Sequence, residues 1–232
     1  MVRHVYERAR AARTISQVAV ATDDERVRDA VLAFGGLAIM TSPACPTGTD
    51  RLAEASKQIE ADIYVNVQGD EPMIDPAMID AAVNALQADL DAAISTLSLP
   101  IRDLDEMMSD AVVKVVCDAR SHALYFSRSP IPHVRTPERS LEAAARAAMA
   151  AGVTRKHVGL YGFRHYALTS FAALAPSPLE QLEQLEQLRA LHHGMKIRVE
   201  PFEGVGSVAV DTPADLDRVR VLMTPAHHQT PN

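Results

Sequence analysis

The feature of this sequence that most constrains its fold is a regular alternation between strand-like apolar runs and segments with helical spacing of apolar residues. Short apolar runs alternate with longer segments whose apolar residues recur at helical spacing. The runs that predict strands are residues 16–22, 37–41, 62–67 and 92–99, and the first predicted helix covers residues 1–13. Strands and helices that alternate at this spacing are typical of βαβ units. The sequence therefore predicts an α/β fold with a mostly parallel sheet.

Polar residues follow the predicted strands at the points where helices should begin. Residues of the types that favour helix starts are Asp23 or Asp24, Thr49 or Asp50, and Asp75-Pro76. In sheets of this kind, ligands bind beyond the carboxyl ends of the strands. We therefore expect a binding site where these strand-to-helix connections meet.

The middle of the chain has a different pattern. Residues 111–118 and 122–128 predict two strands joined by a turn, and residues 157–163 predict a third strand. An alanine-rich helix is predicted over residues 141–151. Residues 177–194 then predict one helix with its leucines on a single face.

These patterns divide the chain into four parts. Residues 1–110 form most of an α/β domain, and residues 111–165 form an antiparallel insertion lobe that is a plausible interface. Residues 166–222 return to the α/β domain, and residues 223–232 are expected to be a disordered tail.

The charge and composition of the chain argue against nucleic acids and membranes as its partners. The net charge of −7 argues against a general nucleic-acid or anionic-membrane surface. No apolar run approaches the ~18 residues that a membrane-spanning helix needs. Cys45 and Cys117 are far apart and lack a metal-binding spacing, so free thiols in a reducing compartment are expected. We expect a cytoplasmic protein with small-molecule substrates.

An acidic motif, residues 68–72 with the sequence QGDEP, directly follows a predicted strand. Two interpretations stay open from these residues alone. The motif is either an acidic turn before the next helix or a magnesium site, because Mg²⁺ binds one or two carboxylates together with substrate phosphates. Asp211 follows a second apolar run, residues 207–210, and is either a helix cap or a second metal ligand.

Other polar residues are individually weak signals. Thr49 and Arg51 lie at a helix start, where free backbone N–H groups favour anions. Arg128 suits carboxylate recognition, and His157 and Tyr161 share one face of a strand. Each is as simply explained as a partly exposed polar residue. Three glutamates of the predicted 177–194 helix most simply form a solvated face: Glu180, Glu183 and Glu186.

Taken together, the motifs resemble the 3-deoxy-manno-octulosonate (KDO) cytidylyltransferase family, whose members are also called CMP-KDO synthetases. The matching blocks span residues 1 to about 220. In chain order they are VATDDERV, TGTDRLAE, VNVQGDEPMI, VVKVV, ALYFSRSPIP, HVGLYGFR, SPLEQLEQLEQLRAL and VDTPADL.

The resemblance implies a Rossmann-like nucleotidyltransferase domain with a smaller antiparallel lobe for homodimerisation. It also implies transfer of CMP from CTP to KDO for lipopolysaccharide synthesis, with Mg²⁺ as cofactor. Asp70 and Asp211 would be the catalytic Mg²⁺ ligands. Residues implied to border the nucleotide are Thr49, Arg51 and Gln68. Residues implied to line the sugar-acid pocket are Arg128, His157, Tyr161, Glu186 and Gln187.

The sequence departs from the family pattern at its start. Family members begin with a strand and a cationic phosphate-binding loop, whereas Met1 here falls inside the helix that follows them. We therefore expect unpaired strand edges and little turnover from the chain as given. Two alternatives remain: an inactive paralogue that acts as a dimer partner or binding protein, and a CMP-transferase for a related sugar acid.

Overall fold

The computed structural model describes residues 1–204, 206 and 209–223. The helices are α1 (Val2–Arg10), α2 (Glu25–Ala33), α3 (Gly48–Ala55), α4 (Pro76–Ala88), α5 (Leu104–Met108), α6 (Leu141–Ala150), α7 (His165–Ala172), α8 (Pro178–Glu183), α9 (Gln187–His192) and α10 (Pro213–Met223). The strands are β1 (Val20–Thr22), β2 (Ala38–Met40), β3 (Ile63–Asn66), β4 (Ile94–Pro100), β5 (Lys114–Cys117), β6 (Ala123–Ser127), β7 (Arg155–Arg164) and β8 (Ile197–Pro201). Of the predicted tail, residues 223–232, Met223 is the last residue of α10, and residues 224–232 lie outside the described residues.

The main sheet has the strand order β6-β5-β7-β4-β8, with β3 also paired to β7. Strands β3 and β4 are both antiparallel to β7, and β8 is parallel to β4. Strands β3, β4 and β8 therefore run in one direction, and β7 runs between β3 and β4 in the other. The predicted α/β fold with a mostly parallel sheet is confirmed, with β7 as an antiparallel member at its centre.

Strand β7 joins the two predicted parts of the sheet. One edge of β7 pairs with β4 along almost its whole length, and the other edge pairs with β5 at its first residues and with β3 at its last residues. The hairpin of β5 and β6 is antiparallel, as predicted. The hairpin therefore continues the main sheet through β7 rather than forming a sheet of its own. The domain boundaries at residues 111 and 165 stay a prediction.

Strands β1 and β2 form a separate two-stranded parallel sheet. Within the part of the chain that the structure describes, β1 pairs only with β2 and β3 pairs only with β7. Each strand therefore keeps one edge unpaired, which agrees with the expectation from the sequence. Packing holds the two sheets together, because α3 contacts both β1 and β3 and α1 contacts α4.

The core is built around β4, which is buried from Ile94 to Leu99. On one side, β4 packs in a cluster that includes Phe163 and Phe171. On the other side, Leu97 packs in a cluster with α1 and α4. Side chains of a strand alternate between the two faces of the sheet, so a strand covered on both faces is buried throughout, here together with the hydroxyl groups of Ser95, Thr96 and Ser98. No described helix is long and apolar enough to cross a membrane.

Two helix starts follow the sequence prediction and one does not. Asp24 and Asp75 cap α2 and α4 by accepting hydrogen bonds from the backbone N–H groups two residues later. Helix α3, in contrast, is capped by Thr47 rather than by Thr49 or Asp50. Thr47 both accepts from the Asp50 N–H and donates to its carboxylate, so the helix begins earlier than predicted.

The prediction of one helix over residues 177–194 is wrong. The chain breaks at Gln184, whose left-handed backbone (φ 54°) separates α8 from α9. Leu182 is consequently 81% exposed, whereas Leu185 and Leu188 are buried in the core. The predicted capping by Ser177 is confirmed, with its side chain and that of Glu180 bonded reciprocally to the backbone.

Candidate active site

The start of α3 lies against the end of β3. A methyl group added at Gly48 would lie 3.6 Å from the Asn66 side-chain amide and 4.0 Å from the Gln68 amide oxygen. The α3 backbone thus approaches the residues that follow β3, and Gln68 is exposed beside it. This arrangement places two of the predicted nucleotide-side motifs next to each other.

Arg51 connects the ends of β1 and β2 to α3. Its Nη1 donates to the Thr41 hydroxyl at 2.7 Å and pairs with the Asp23 carboxylate at 3.2 Å. Thr41 follows β2 and Asp23 follows β1, so the guanidinium lies where both strands end. The structure therefore gathers the connections after β1, β2 and β3 at one edge, as the sequence predicts.

Asp70 and Asp211 are brought together by the backbone. The Val210 N–H donates to the Asp70 carbonyl at 2.9 Å, which makes Asp211 a neighbour of the acidic loop. Neither carboxylate accepts a hydrogen bond or forms an ion pair with another described residue. No group of three or more metal-ligating side chains occurs among the described residues. Two carboxylates without other partners are the number of protein ligands typical of a magnesium site, because substrate phosphates and water supply the remaining ligands.

Four of the predicted site residues line one small cavity: Thr49, Tyr161, Glu186 and Gln187. The Thr49 hydroxyl donates to the Glu186 Oε2 atom at 2.7 Å, which ties α3 to α9. The Glu186 Oε1 and Gln187 Nε2 atoms are buried and have no hydrogen-bond partner among the described residues. Buried polar atoms are normally paired, so these two atoms point to a polar ligand in the cavity.

His157 and Tyr161 lie beside this cavity on β7. Their ring centroids are 5.4 Å apart, and the edge of Phe126 packs against His157 at 4.9 Å. Desolvation lowers the pKa of His157 to about 3, so the imidazole is neutral near pH 7. Burial, reinforced by the Glu186 carboxylate, raises the pKa of the Tyr161 phenol. Both rings therefore act as neutral hydrogen-bonding groups.

Arg128 is held by backbone carbonyls at the end of β6. Its guanidinium donates to the Glu183 carbonyl (2.8 Å), the Asp110 carbonyl (2.9 Å) and the Gln184 carbonyl (3.3 Å). These bonds use three of the five N–H groups of the side chain and leave two without a hydrogen-bond partner among the described residues. Arg128 therefore connects the insertion lobe to the break between α8 and α9.

Two further charged residues fix Arg128, and the sequence analysis did not identify either role. The Glu183 carboxylate accepts hydrogen bonds from the Ser127 hydroxyl at 2.6 Å and the Arg128 N–H at 2.9 Å. The Lys114 ammonium is fully buried and donates to the carbonyls of Ser109, Val112 and Arg128. A lysine inside an apolar strand is the one sequence signal that could have indicated such a role.

The prediction of a solvated glutamate face is wrong. Glu183 binds residues at the end of β6, and Glu186 binds Thr49. Glu180 pairs with Arg189 at 2.6 Å, and both side chains are nearly buried, at 12% and 7% exposed. The break at Gln184 turns these carboxylates toward the protein, and helical periodicity does not predict such a break.

Comparisons with known proteins identify the family of this chain. A sequence model described as Cytidylyltransferase matches residues 1–197. A 3-deoxy-manno-octulosonate cytidylyltransferase of Geobacter metallireducens is 53% identical over 94% of this chain and 85% of its own length. Its counterpart from Myxococcus xanthus is 47% identical over 96% of this chain and 85% of its own length.

Solved structures give the same relationship. A CMP-2-keto-3-deoxy-manno-octonic acid synthetase in complex with CTP superposes with a TM-score of 0.84 and 43% identity. The match covers 96% of this chain and 86% of that one. A 4-diphosphocytidyl-2C-methyl-D-erythritol synthase from Anaerococcus prevotii, 9% identical with a TM-score of 0.56, shares the fold alone. The chain therefore belongs to the cytidylyltransferase family and, within it, to the group of 3-deoxy-manno-octulosonate cytidylyltransferases.

Proposed function

We propose that this protein transfers CMP from CTP to the anomeric hydroxyl of KDO and releases pyrophosphate, which makes it a KDO cytidylyltransferase of lipopolysaccharide synthesis. The observation that carries the proposal is the pair of unpartnered carboxylates, Asp70 and Asp211, joined through the Val210–Asp70 backbone bond at 2.9 Å. Asp70 lies on the loop that begins with Gln68, beside the start of α3, and Asp211 directly follows Val210, which bonds to that loop.

Asp70 and Asp211 would hold Mg²⁺. When bound, the ion would neutralise phosphate charge and lower the pKa of the attacking hydroxyl. Attack at a phosphorus atom needs positioning and charge neutralisation more than a covalent catalyst. The protein supplies the positioning through Gln68 and the start of α3, whose free backbone N–H groups favour anions and polar ring atoms.

The sugar acid would bind beside β7, with its hydroxyls at the mouth of the small cavity. Arg128 keeps two N–H groups for its carboxylate, and paired guanidinium–carboxylate bonds are strong and directional. The buried Glu186 Oε1 and Gln187 Nε2 atoms form no hydrogen bond with a described residue, although Oε1 lies 3.8 Å from Arg189 Nη2, and they offer one acceptor and one donor to sugar hydroxyls. Thr49 bonds to Glu186 at 2.7 Å, so it links the nucleotide and sugar sides of one site.

We also propose that the protein is a cytoplasmic homodimer. Apolar side chains of the insertion lobe support an interface there, because Leu124, Leu141 and Val153 are 62%, 51% and 51% exposed. Cys45 and Cys117 are both free, which suits a reducing compartment. Sedimentation equilibrium would give a mass of twice 25.2 kDa for the homodimer.

A non-catalytic binding protein is the second candidate. Arg51, the predicted cation of the nucleotide side, is already paired with Asp23 at 3.2 Å and therefore contributes less positive charge to a triphosphate. For this reason we expect slow turnover from the 232-residue chain.

A substrate panel distinguishes the candidates. The purified protein would be incubated with Mg²⁺, CTP and either KDO or N-acetylneuraminate, and products would be identified by mass spectrometry. We expect slow formation of CMP-KDO that exceeds the yield from the other acid and disappears in Asp70→Asn. Binding of CTP and KDO without product would favour the non-catalytic candidate. A faster reaction with the other acid would refute the assignment of KDO.

A further inference from the structure

The hydrogen bonds around Thr96 define the chemistry of His157. Thr96 is fully buried on β4, at the point where the pairing with β7 is irregular. Thr96 pairs with Tyr161 and the next residue, Leu97, pairs with Val158, so β7 carries two extra residues. Such bulges occur beside functional sites, where they redirect side chains.

The Thr96 hydroxyl occupies the space that the bulge opens. Its oxygen lies 2.9 Å from the Val158 carbonyl, 2.9 Å from the Leu160 carbonyl and 3.0 Å from the His157 Nε2 atom. Both carbonyl oxygens can only accept hydrogen bonds, and the hydroxyl has one hydrogen to donate. If the hydroxyl hydrogen pointed at Nε2, the Thr96 oxygen would face both carbonyl oxygens at 2.9 Å with no hydrogen between them, which is repulsive.

We infer that Thr96 is a positioning residue that holds His157 in the neutral tautomer with the proton on Nε2, so that Nδ1 accepts a hydrogen bond from a hydroxyl of the sugar acid. The Thr96 hydrogen points to the carbonyls, and Nε2–H donates to the Thr96 oxygen. In a neutral imidazole, a proton on one nitrogen leaves the other as an acceptor.

The surroundings of His157 agree with this arrangement. Nδ1 has no hydrogen-bond partner among the described residues, and Phe126 packs against the ring at 4.9 Å and fixes its plane. The low pKa of His157, about 3, keeps the ring neutral, so it does not form an ion pair with the carboxylate of the sugar acid. Carboxylate recognition then falls to Arg128, and His157 recognises a hydroxyl.

This inference rests on the proposed function for the identity of the ligand, but the tautomer can be measured without turnover. Nitrogen NMR of protein labelled with ¹⁵N-histidine distinguishes protonated from unprotonated ring nitrogens, and His157→Gln identifies the His157 signals. We expect a protonated Nε2 and a bare Nδ1 in the unmodified protein. A proton on Nδ1 instead would overturn the inference. This measurement uses the unmodified protein, so it does not depend on whether variants of Thr96 fold.

Variants of Thr96 test whether its hydroxyl sets the tautomer of His157. Thr96→Val keeps the side-chain shape and removes the hydroxyl, so we expect a mixture of both tautomers, whereas Thr96→Ser restores the single form. Ser95→Ala is the matched control, because it removes a buried hydroxyl from the same strand that bonds only to the Ala82 carbonyl at 2.7 Å. A single Nε2–H tautomer in Thr96→Val would show that Thr96 does not set it.

Binding experiments separate this inference from the proposed function. Added KDO, with CTP present, should shift the Nδ1 signal in the direction of an accepted hydrogen bond and leave the ring neutral. In turnover assays, Thr96→Val should raise KM for KDO about twofold, because roughly half of the molecules keep the tautomer that accepts the hydrogen bond, and leave KM for CTP unchanged. An imidazolium in the complex would refute hydroxyl recognition. Failure of KDO to bind, with the tautomer as described, would refute the proposed substrate only.

Discussion

Replacement of Glu183 tests the reasoning about the break between α8 and α9. In Glu183→Ala, the Ser127 hydroxyl and the Arg128 N–H lose the acceptors that they contact at 2.6 and 2.9 Å. Each half-buried donor left unsatisfied costs about 1–2 kcal/mol, the lower part of the range for such groups, so the free energy of unfolding should fall by about 2–4 kcal/mol. For a chain of this size each kcal/mol lowers Tm by roughly 2–4 °C, so Tm should fall by roughly 4–16 °C.

Function should change in a specific way. Because the Arg128 guanidinium donates to the Glu183 and Gln184 carbonyls, movement of this turn displaces Glu186 and Gln187 from the cavity. We expect KM for KDO to rise about tenfold or more, whereas KM for CTP changes little, as expected when one or two hydrogen bonds are lost.

Thermal unfolding and steady-state kinetics would measure both effects. Glu142→Ala is the matched control, because Glu142 is exposed and pairs only with Arg146, four residues along the same helix. It should change the free energy of unfolding by no more than about 0.5 kcal/mol. If Glu183→Ala matched this control in Tm and in KM for KDO, the role assigned to Glu183 would be wrong.

Two further predictions concern charged groups. Asp70→Asn and Asp211→Asn should each abolish CMP transfer yet leave Tm nearly unchanged, because neither carboxylate forms a hydrogen bond or ion pair with another described residue; calorimetry and activity assays check both. Desolvation tends to raise the pKa of Glu180, but hydrogen bonds from Arg189 and Ser177 outweigh it and lower the pKa below its usual 4.5. This stabilisation is full above pH 4.5 and is lost as pH falls through the lower value in the folded protein. Glu180→Gln should therefore give a shallower loss of stability in acid, measured by urea unfolding; an unchanged slope would contradict this.

The alternation of periods was sufficient to predict most of the fold. Apolar runs at residues 62–67 and 92–99 became β3 and β4, and Asp24 and Asp75 cap their helices because local hydrogen bonding decides a helix start. The position of β7 inside the main sheet could not be predicted, because strand order depends on pairings between distant residues. The break at Gln184 was missed because an uninterrupted leucine pattern favours one helix.

Site residues that directly follow strands could be predicted from the sequence. Residues whose roles depend on tertiary contacts could not. Thr49, Gln68 and Asp70 all lie at the edge where strands end, as expected for an α/β sheet. The roles of Glu183, Lys114 and Thr96 depend on contacts with residues 14 to 64 positions away in the chain. Such contacts leave no periodic signal, so a sequence alone gives these side chains a simpler explanation.

Phosphorus NMR of the complete reaction tests the central claim most directly. The protein would be incubated with CTP, KDO and Mg²⁺, in parallel with Asp211→Asn, until the slow reaction expected here gives a measurable signal. The account predicts that CMP-KDO and pyrophosphate appear in equal amounts, only when KDO is present, and only with the unmodified protein. Equal product from Asp211→Asn, or no product above that variant, would contradict the assignment of this chain as a KDO cytidylyltransferase.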